Sequence, residues 1–139
     1  MRKSITILLT VAALALPIVD ATAATKAKAK KIVVTKRFSG SLASVDRWGS
    51  LQVTIVVRKT TTITGTKKKV TRRMTAVTVP VYPNHTDRSV FINQNALPIL
   101  KAEALKAQGA NINMVSGATD TSNGFEQSLQ SAIVKALHA

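Results

Sequence analysis

Near the C-terminus, residues 113–122 read Asn-Met-Val-Ser-Gly-Ala-Thr-Asp-Thr-Ser, a run of small and hydroxyl-bearing residues just ahead of an amphipathic segment. Small side chains let a backbone approach a ligand closely, and the unpaired N–H groups that open a helix favour an anion. Thr119, Thr121 and Ser122 add hydroxyl groups at the same point. Two readings follow from these residues alone: a cradle for a phosphate, or a turn whose polar side chains only cap the next helix. Other chemistry is poorly provided for. The chain has two histidines, His85 and His138, and no cysteine, which excludes thiol catalysis and disulfides. Ser116, His85 and Asp120 are the residue types of a hydrolase triad, yet no nucleophile-elbow pattern surrounds Ser116. The carboxylates are few and scattered, so neither a metal cluster nor a paired acid and base is expected.

The elements that must position this run can be read from periodicity. After it, Phe125, Leu129, Ala132, Ile133, Ala136 and Leu137 form one helical stripe, with Asn123 and Glu126 as a capping pair. Before it, Asn95 is expected to cap a helix with Pro98 in its first turn, Leu97, Leu100 and Ala104 on one face, and Gly109 as its stop. Further upstream the period is two. Leu51, Val53, Ile55 and Val57 alternate with Gln52, Thr54 and Arg58, the pattern of a strand with one covered face. An extended stretch over residues 32–45, broken by Gly40, precedes it, and Trp48-Gly49 makes the turn between them. A polar tip over residues 60–69, reversing at Gly65, leads to a third strand over residues 74–82. Pro80 cannot donate to a ladder, which puts that strand at an edge. The expected fold is α+β: a small antiparallel sheet of three or more strands with two helices packed on one face.

Residues 1–23 read as a signal peptide. Arg2 and Lys3 precede a nearly unbroken apolar run over residues 5–18, and Ala21-Thr22-Ala23 is a cleavage pattern. The run is too short for a membrane span and is broken by Pro17. Residues 24–34 read as a basic tether and 35–139 as one domain, located outside the cytoplasm. The net charge is +14, and removal of the leader takes away Arg2, Lys3 and Asp20 and lowers it by one. Such a surplus favours anionic partners. With few aromatic residues interleaved as stacking platforms, nucleic acid is not expected. A plain solvated basic surface is the first reading of the charge. Anionic wall polymers or a membrane surface are the expected anions if it binds any, and a basic exported module that binds them without a cofactor is the alternative to the reading below.

The Ser116-Gly117-Ala118-Thr119 element, followed by Thr121-Ser122 and by the helical Ser-Leu-Gln-Ser-Ala of residues 128–132, resembles the FMN-binding domain shared by the C subunit of the sodium-translocating NADH:quinone reductase and the G subunit of the Rnf complex. Upstream, Phe38-Ser39-Gly40-Ser41, the Trp48-Gly49 turn, residues 77–83 and residues 93–108 are similar in order and spacing to small stand-alone exported members. The resemblance implies FMN as cofactor, esterified through its phosphate to Thr119 by a FAD:protein FMN transferase. Ser116, Gly117 and Ala118 would form the turn that presents Thr119, with Thr121, Ser122 and Asn113 nearby. The family's usual residue at the position of Asn113 is aspartate. The amide keeps a hydrogen-bonding group and loses a charge, which leaves noncovalent binding as the alternative mode. The implied role is an electron carrier that serves redox partners the sequence does not identify, with no substrate of its own.

Overall fold

The computed structural model describes residues 28–139, so the apolar run and the Ala21-Thr22-Ala23 pattern lie outside the described residues. Its centre is one long strand, β3 (Ser50–Thr64), whose neighbours all run antiparallel to it. Strands β1 (Lys30–Ser39) and β2 (Ala43–Ser44) follow one another along one edge, and β4 (Lys67–Val81) takes the other. β1 begins at Lys30, inside the stretch read as a tether, because its branched residues find a partner strand along Thr54 to Ile63. A 3-10 turn, Asp46–Trp48, joins β2 to β3.

Odd-numbered residues of β3 face the core. Leu51, Val53, Ile55 and Val57 are all buried, joined by Met74 and Val77 of β4. Two helices cover this face: α1 (Asp87–Ala107) with Ala96, Leu97, Leu100 and Ala104, and α2 (Thr119–Leu137) with Phe125, Leu129, Ala132 and Ala136. Burying each large apolar side chain contributes about 1.5–3 kcal/mol, so β3 and α2 hold most of the stabilising surface. Among the described residues β4 pairs with β3 alone, so Pro80 lies on an edge as its missing N–H requires. The expected α+β arrangement is therefore present.

Three expectations about element ends are corrected. The polar tip is itself strand: β3 runs to Thr64 and β4 starts at Lys67, because the β-branched threonines and Ile63 there favour extended pairing despite their polar neighbours. α1 starts at Asp87 instead of after Asn95. Thr86 caps it, its Oγ1 accepting from Ser89 N at 3.1 Å while Ser89 Oγ accepts from Thr86 N at 3.3 Å. Asn95 and Pro98 lie within the helix, Pro98 on its exposed side. α2 starts at Thr119, which places Asn123 and Glu126 inside it and removes their capping role.

α1 ends at Ala107, two residues before Gly109. Gln108 takes the left-handed conformation, with φ of 52°, and its N–H bonds Ala104 O. Its side chain then acts as a short strand against the edge of the sheet: Oε1 accepts from Met74 N at 2.7 Å and Nε2 donates to Met74 O at 3.0 Å. This ties the C-terminus of α1 to β4 and closes the core at that end.

Candidate functional site

Residues 113–122 form the turn into α2. Ala118 N donates to Val115 O at 3.0 Å, closing a four-residue turn with Ser116 and Gly117 at its corners. Gly117 has φ of +80° and open space where a Cβ would be. That φ is strained for any other residue, so the glycine is required by the turn. Ser122 locks the turn from within the helix: its Oγ accepts from Val115 N at 3.0 Å and donates to Ala118 O at 2.8 Å. Ala118, at the N-cap, offers no side-chain acceptor. The first intrahelical bond is Ser122 N to Ala118 O, which leaves the N–H groups of Thr119, Asp120 and Thr121 without helical partners. Thr119, the first helical residue, is exposed, and its hydroxyl stands beside these donors.

Gly117, Ala118, Thr119, Asp120 and Thr121 line one wall of a cleft. The facing wall is built by Val45 and Trp48 ahead of β3, Pro83 after β4, and Arg88, Ser89, Ile92 and Asn93 of the first turns of α1. Val45, Trp48, Pro83 and Ile92 give an apolar surface. Arg88 gives the cleft its cation and Asp120 its carboxylate. The Arg47 guanidinium lies 5.2 Å from the centre of the Trp48 ring.

One buried side chain ties these walls together. Asn93, 2% exposed, donates from Nδ2 to Pro83 O at 2.6 Å and accepts at Oδ1 from Thr121 Oγ1 at 3.0 Å. It thereby joins the end of β4, the first half of α1 and the start of α2 around the cleft. The early start of α1 is what brings Arg88, Ser89 and Asn93 here.

The other short segments picked out in the sequence hold α2 in place. The Phe38-Ser39-Gly40-Ser41 stretch meets the Ser-Leu-Gln-Ser-Ala of residues 128–132. Ser128 Oγ accepts from Val53 N at 2.8 Å, at the point where the ladder of β3 is interrupted. Ser131 Oγ accepts from Ser41 N at 3.1 Å and bonds Ser41 Oγ at 2.9 Å. A Cβ on Gly40 would stand 2.0 Å from Ser128 O, so only glycine permits the helix this close.

Of the seven site residues expected from sequence, Gly117, Ala118, Thr119 and Thr121 line the cleft. Ser122 is buried and committed to holding the turn, Ser116 is exposed at its corner, and Asn113 lies outside the cleft with Nδ2 3.4 Å from Glu103 Oε2. Sequence reading missed Arg88, Asn93 and Ile92. Among the larger rings, Trp48 lines the cleft, Phe125 is core, and Phe91 and Tyr82 are exposed elsewhere.

The donor set suits a phosphate ester with a flat aromatic head. Unpaired N–H groups, the Thr119 hydroxyl and Arg88 suit the phosphate, and the Trp48 side of the cleft suits the ring. No curated protein matches the chain. Residues 46–134, from the turn bearing Trp48 to the last turns of α2, match the FMN-binding domain. FMN is accordingly the cofactor, and the chain belongs to the FMN-binding domain family.

Proposed function

We propose that the protein is an exported electron carrier whose FMN is joined through its phosphate to Thr119. The observation that carries this reading is the placement of the Thr119 hydroxyl, exposed at the first residue of α2, beside unpaired N–H groups and in one cleft with Arg88. In the attachment step, Oγ1 of Thr119 bonds the flavin-side phosphorus of FAD, the pyrophosphate bond breaks, AMP leaves, and the hydroxyl proton is lost. A FAD:protein FMN transferase outside the cytoplasm would catalyse it. The N–H groups and Arg88 then hold the ester's remaining charge. When bound, FMN supplies one- and two-electron redox chemistry. The protein's own part is to orient the ring against Trp48 and to set the charge near it through Arg88 and Asp120.

Asn113 bears on recognition by the transferase. Its amide points a donor at the Glu103 carboxylate, whereas an aspartate at 113 would set two carboxylates together. Glu103 thus sets a carboxylate beside this position, and Asn113→Asp should leave loading unchanged or raise it. The reading of a basic module without cofactor gives way to the family match, although the charge itself keeps a role discussed below.

Intact-protein mass spectrometry after co-expression with the transferase in an exporting host tests the reading. The parent should carry one FMN adduct on a chain that starts at Ala24. Thr119→Ala should carry none, with the fold retained at a cost under about 1 kcal/mol, since the change deletes a hydroxyl and a methyl from an exposed turn. Thr119→Ser should keep partial modification. An adduct that survives in Thr119→Ala would overturn the assignment, and a parent that keeps flavin without an adduct would make the binding noncovalent.

A further inference from the structure

Beyond the helices the sheet continues as a three-stranded ribbon, met at its base by the end of α2, where Lys59 Nζ donates to Ala139 O at 3.0 Å and Ala136 and Ala139 share a cleft with Val34, Lys59 and Arg72. No residue of β3 past Val57, and none of β4 before Met74, is buried. β1 carries four Lys and Arg, β3 two and β4 five, and none of the three strands carries an Asp or Glu. Among the described residues no ion pair forms on the ribbon; the pair present, Asp46–Arg47, lies on the 3-10 turn.

The two faces of the ribbon differ. On the face continuous with the core, cross-strand rows read Lys30–Ile63–Lys68, Ile32–Thr61–Val70 and Val34–Lys59–Arg72. An apolar group of branched side chains thus sits inside a rim of cations. Ile32 and Val34 are each 41% exposed and Val70 is 37% exposed. On the opposite face the rows are Lys31–Thr62–Lys69, Val33–Thr60–Thr71 and Thr35–Arg58–Arg73, where the cations are interleaved mainly with threonine.

Charge on an open sheet edge protects against edge-to-edge pairing, but either sign serves that purpose, and it calls for no exposed apolar cluster between the charges. A nucleic acid would be met by aromatic platforms, and the ribbon's only ring, Phe38, is half-buried at its base. A soluble anionic polymer would use the cations and leave the apolar cluster in water. An anionic lipid surface engages both, phosphates meeting the basic rim and the acyl boundary receiving the branched side chains.

We propose that the free end of the ribbon docks on an anionic membrane surface through Lys30, Lys68 and Arg72, with Ile32, Val34 and Val70 entering the interface. The cleft lies at the opposite end of β3, so a docked ribbon leaves the flavin clear of the lipid. The proposal does not depend on how the flavin is attached.

The test is co-sedimentation of the protein, purified from an exporting host, with vesicles of phosphatidylglycerol and phosphatidylcholine in equal parts, or of phosphatidylcholine alone. The parent should bind the mixed vesicles and not the neutral ones, and the binding should weaken as NaCl is raised. The triple variant Lys30→Gln, Lys68→Gln, Arg72→Gln should bind at least tenfold more weakly. The double variant Ile32→Thr, Val70→Thr keeps every charge and the branched, strand-favouring shape, and should bind at least threefold more weakly. Absence of parent binding to the mixed vesicles overturns the proposal without reference to any variant. So does a double variant that binds like the parent while soluble poly(glycerol phosphate) or duplex DNA competes fully, because the surface would then be a charge-only site for polymers.

Discussion

At the scale of single residues the site depends on buried side chains as well as exposed ones. Asn93 is 2% exposed and uses its donor on Pro83 O and its acceptor on Thr121. Changing it to aspartate keeps the shape and removes the donor, setting a carboxylate against a carbonyl oxygen. Asn93→Asp should cost about 3 kcal/mol, since a buried charge is left facing an unsatisfied acceptor. Urea denaturation would measure this, and flavin retention should fall with it because Thr121 loses its anchor. Were the variant as stable as the parent, the account of Asn93 as the tie between the walls of the cleft would fail. Ser122 has a similar station. It was expected from sequence to be a ligand, yet its hydroxyl already serves Val115 N and Ala118 O. Residue type could not separate these two uses, because a serine that braces a turn and a serine that holds a phosphate look alike in one dimension.

At the scale of elements, what was legible followed hydrophobic period. β3 was readable from Leu51 to Val57 and α2 from Phe125 onward, because those positions face the core. The start of α1 was hidden, since the buried positions of its first two turns are Ser89 and Asn93. A helical face made of polar residues has no hydrophobic period, and the Arg88 that faces the cleft was lost with it. The distal halves of β3 and β4 were obscured for a related reason: runs of threonine and lysine there have no covered face to mark a period of two. The segment around Gly40 was legible as an oddity, and its meaning appears only against α2. Gly40→Ala would bring a methyl to 2.0 Å from Ser128 O, and both partners are backbone on packed elements. The helix must shift outward, at about 3 kcal/mol, with loss of the Ser128 bond to Val53 N. A thermal scan should show a large drop in Tm for Gly40→Ala and a smaller one for Gly65→Ala, where nothing lies within 4 Å and only the positive φ, about 1 kcal/mol, opposes the substitution.

At the scale of the whole molecule, one strand connects two ends with different work. β3 runs 15 residues from the turn bearing Trp48 to the hairpin tip, a span of about 45 Å at the usual rise per residue. That length exceeds several times the roughly 8 Å over which exposed charges act at physiological salt. Replacing Lys67, Lys68 and Lys69 together by glutamine should therefore leave the flavin reduction potential unchanged. Arg88→Gln, inside the cleft, should lower it, because a nearby cation favours the more negative reduced state. Spectroelectrochemistry on the two variants separates the ends, and a shift from the lysine tip alone would place the flavin elsewhere. The docking of α2 has a further consequence in time. The Ser41–Ser131 contact joins residues 90 apart in sequence, so it closes late, after the local hairpin of β3 and β4 has formed. Until then Leu51, Val53 and Ile55 lie uncovered, and two half-folded chains could pair through them. The cations along the same strands make such chains repel one another during that interval. Refolding from denaturant should accordingly scatter more light at 500 mM than at 10 mM NaCl, so that the charge which draws the finished protein towards anions also guards the unfinished one from its own kind.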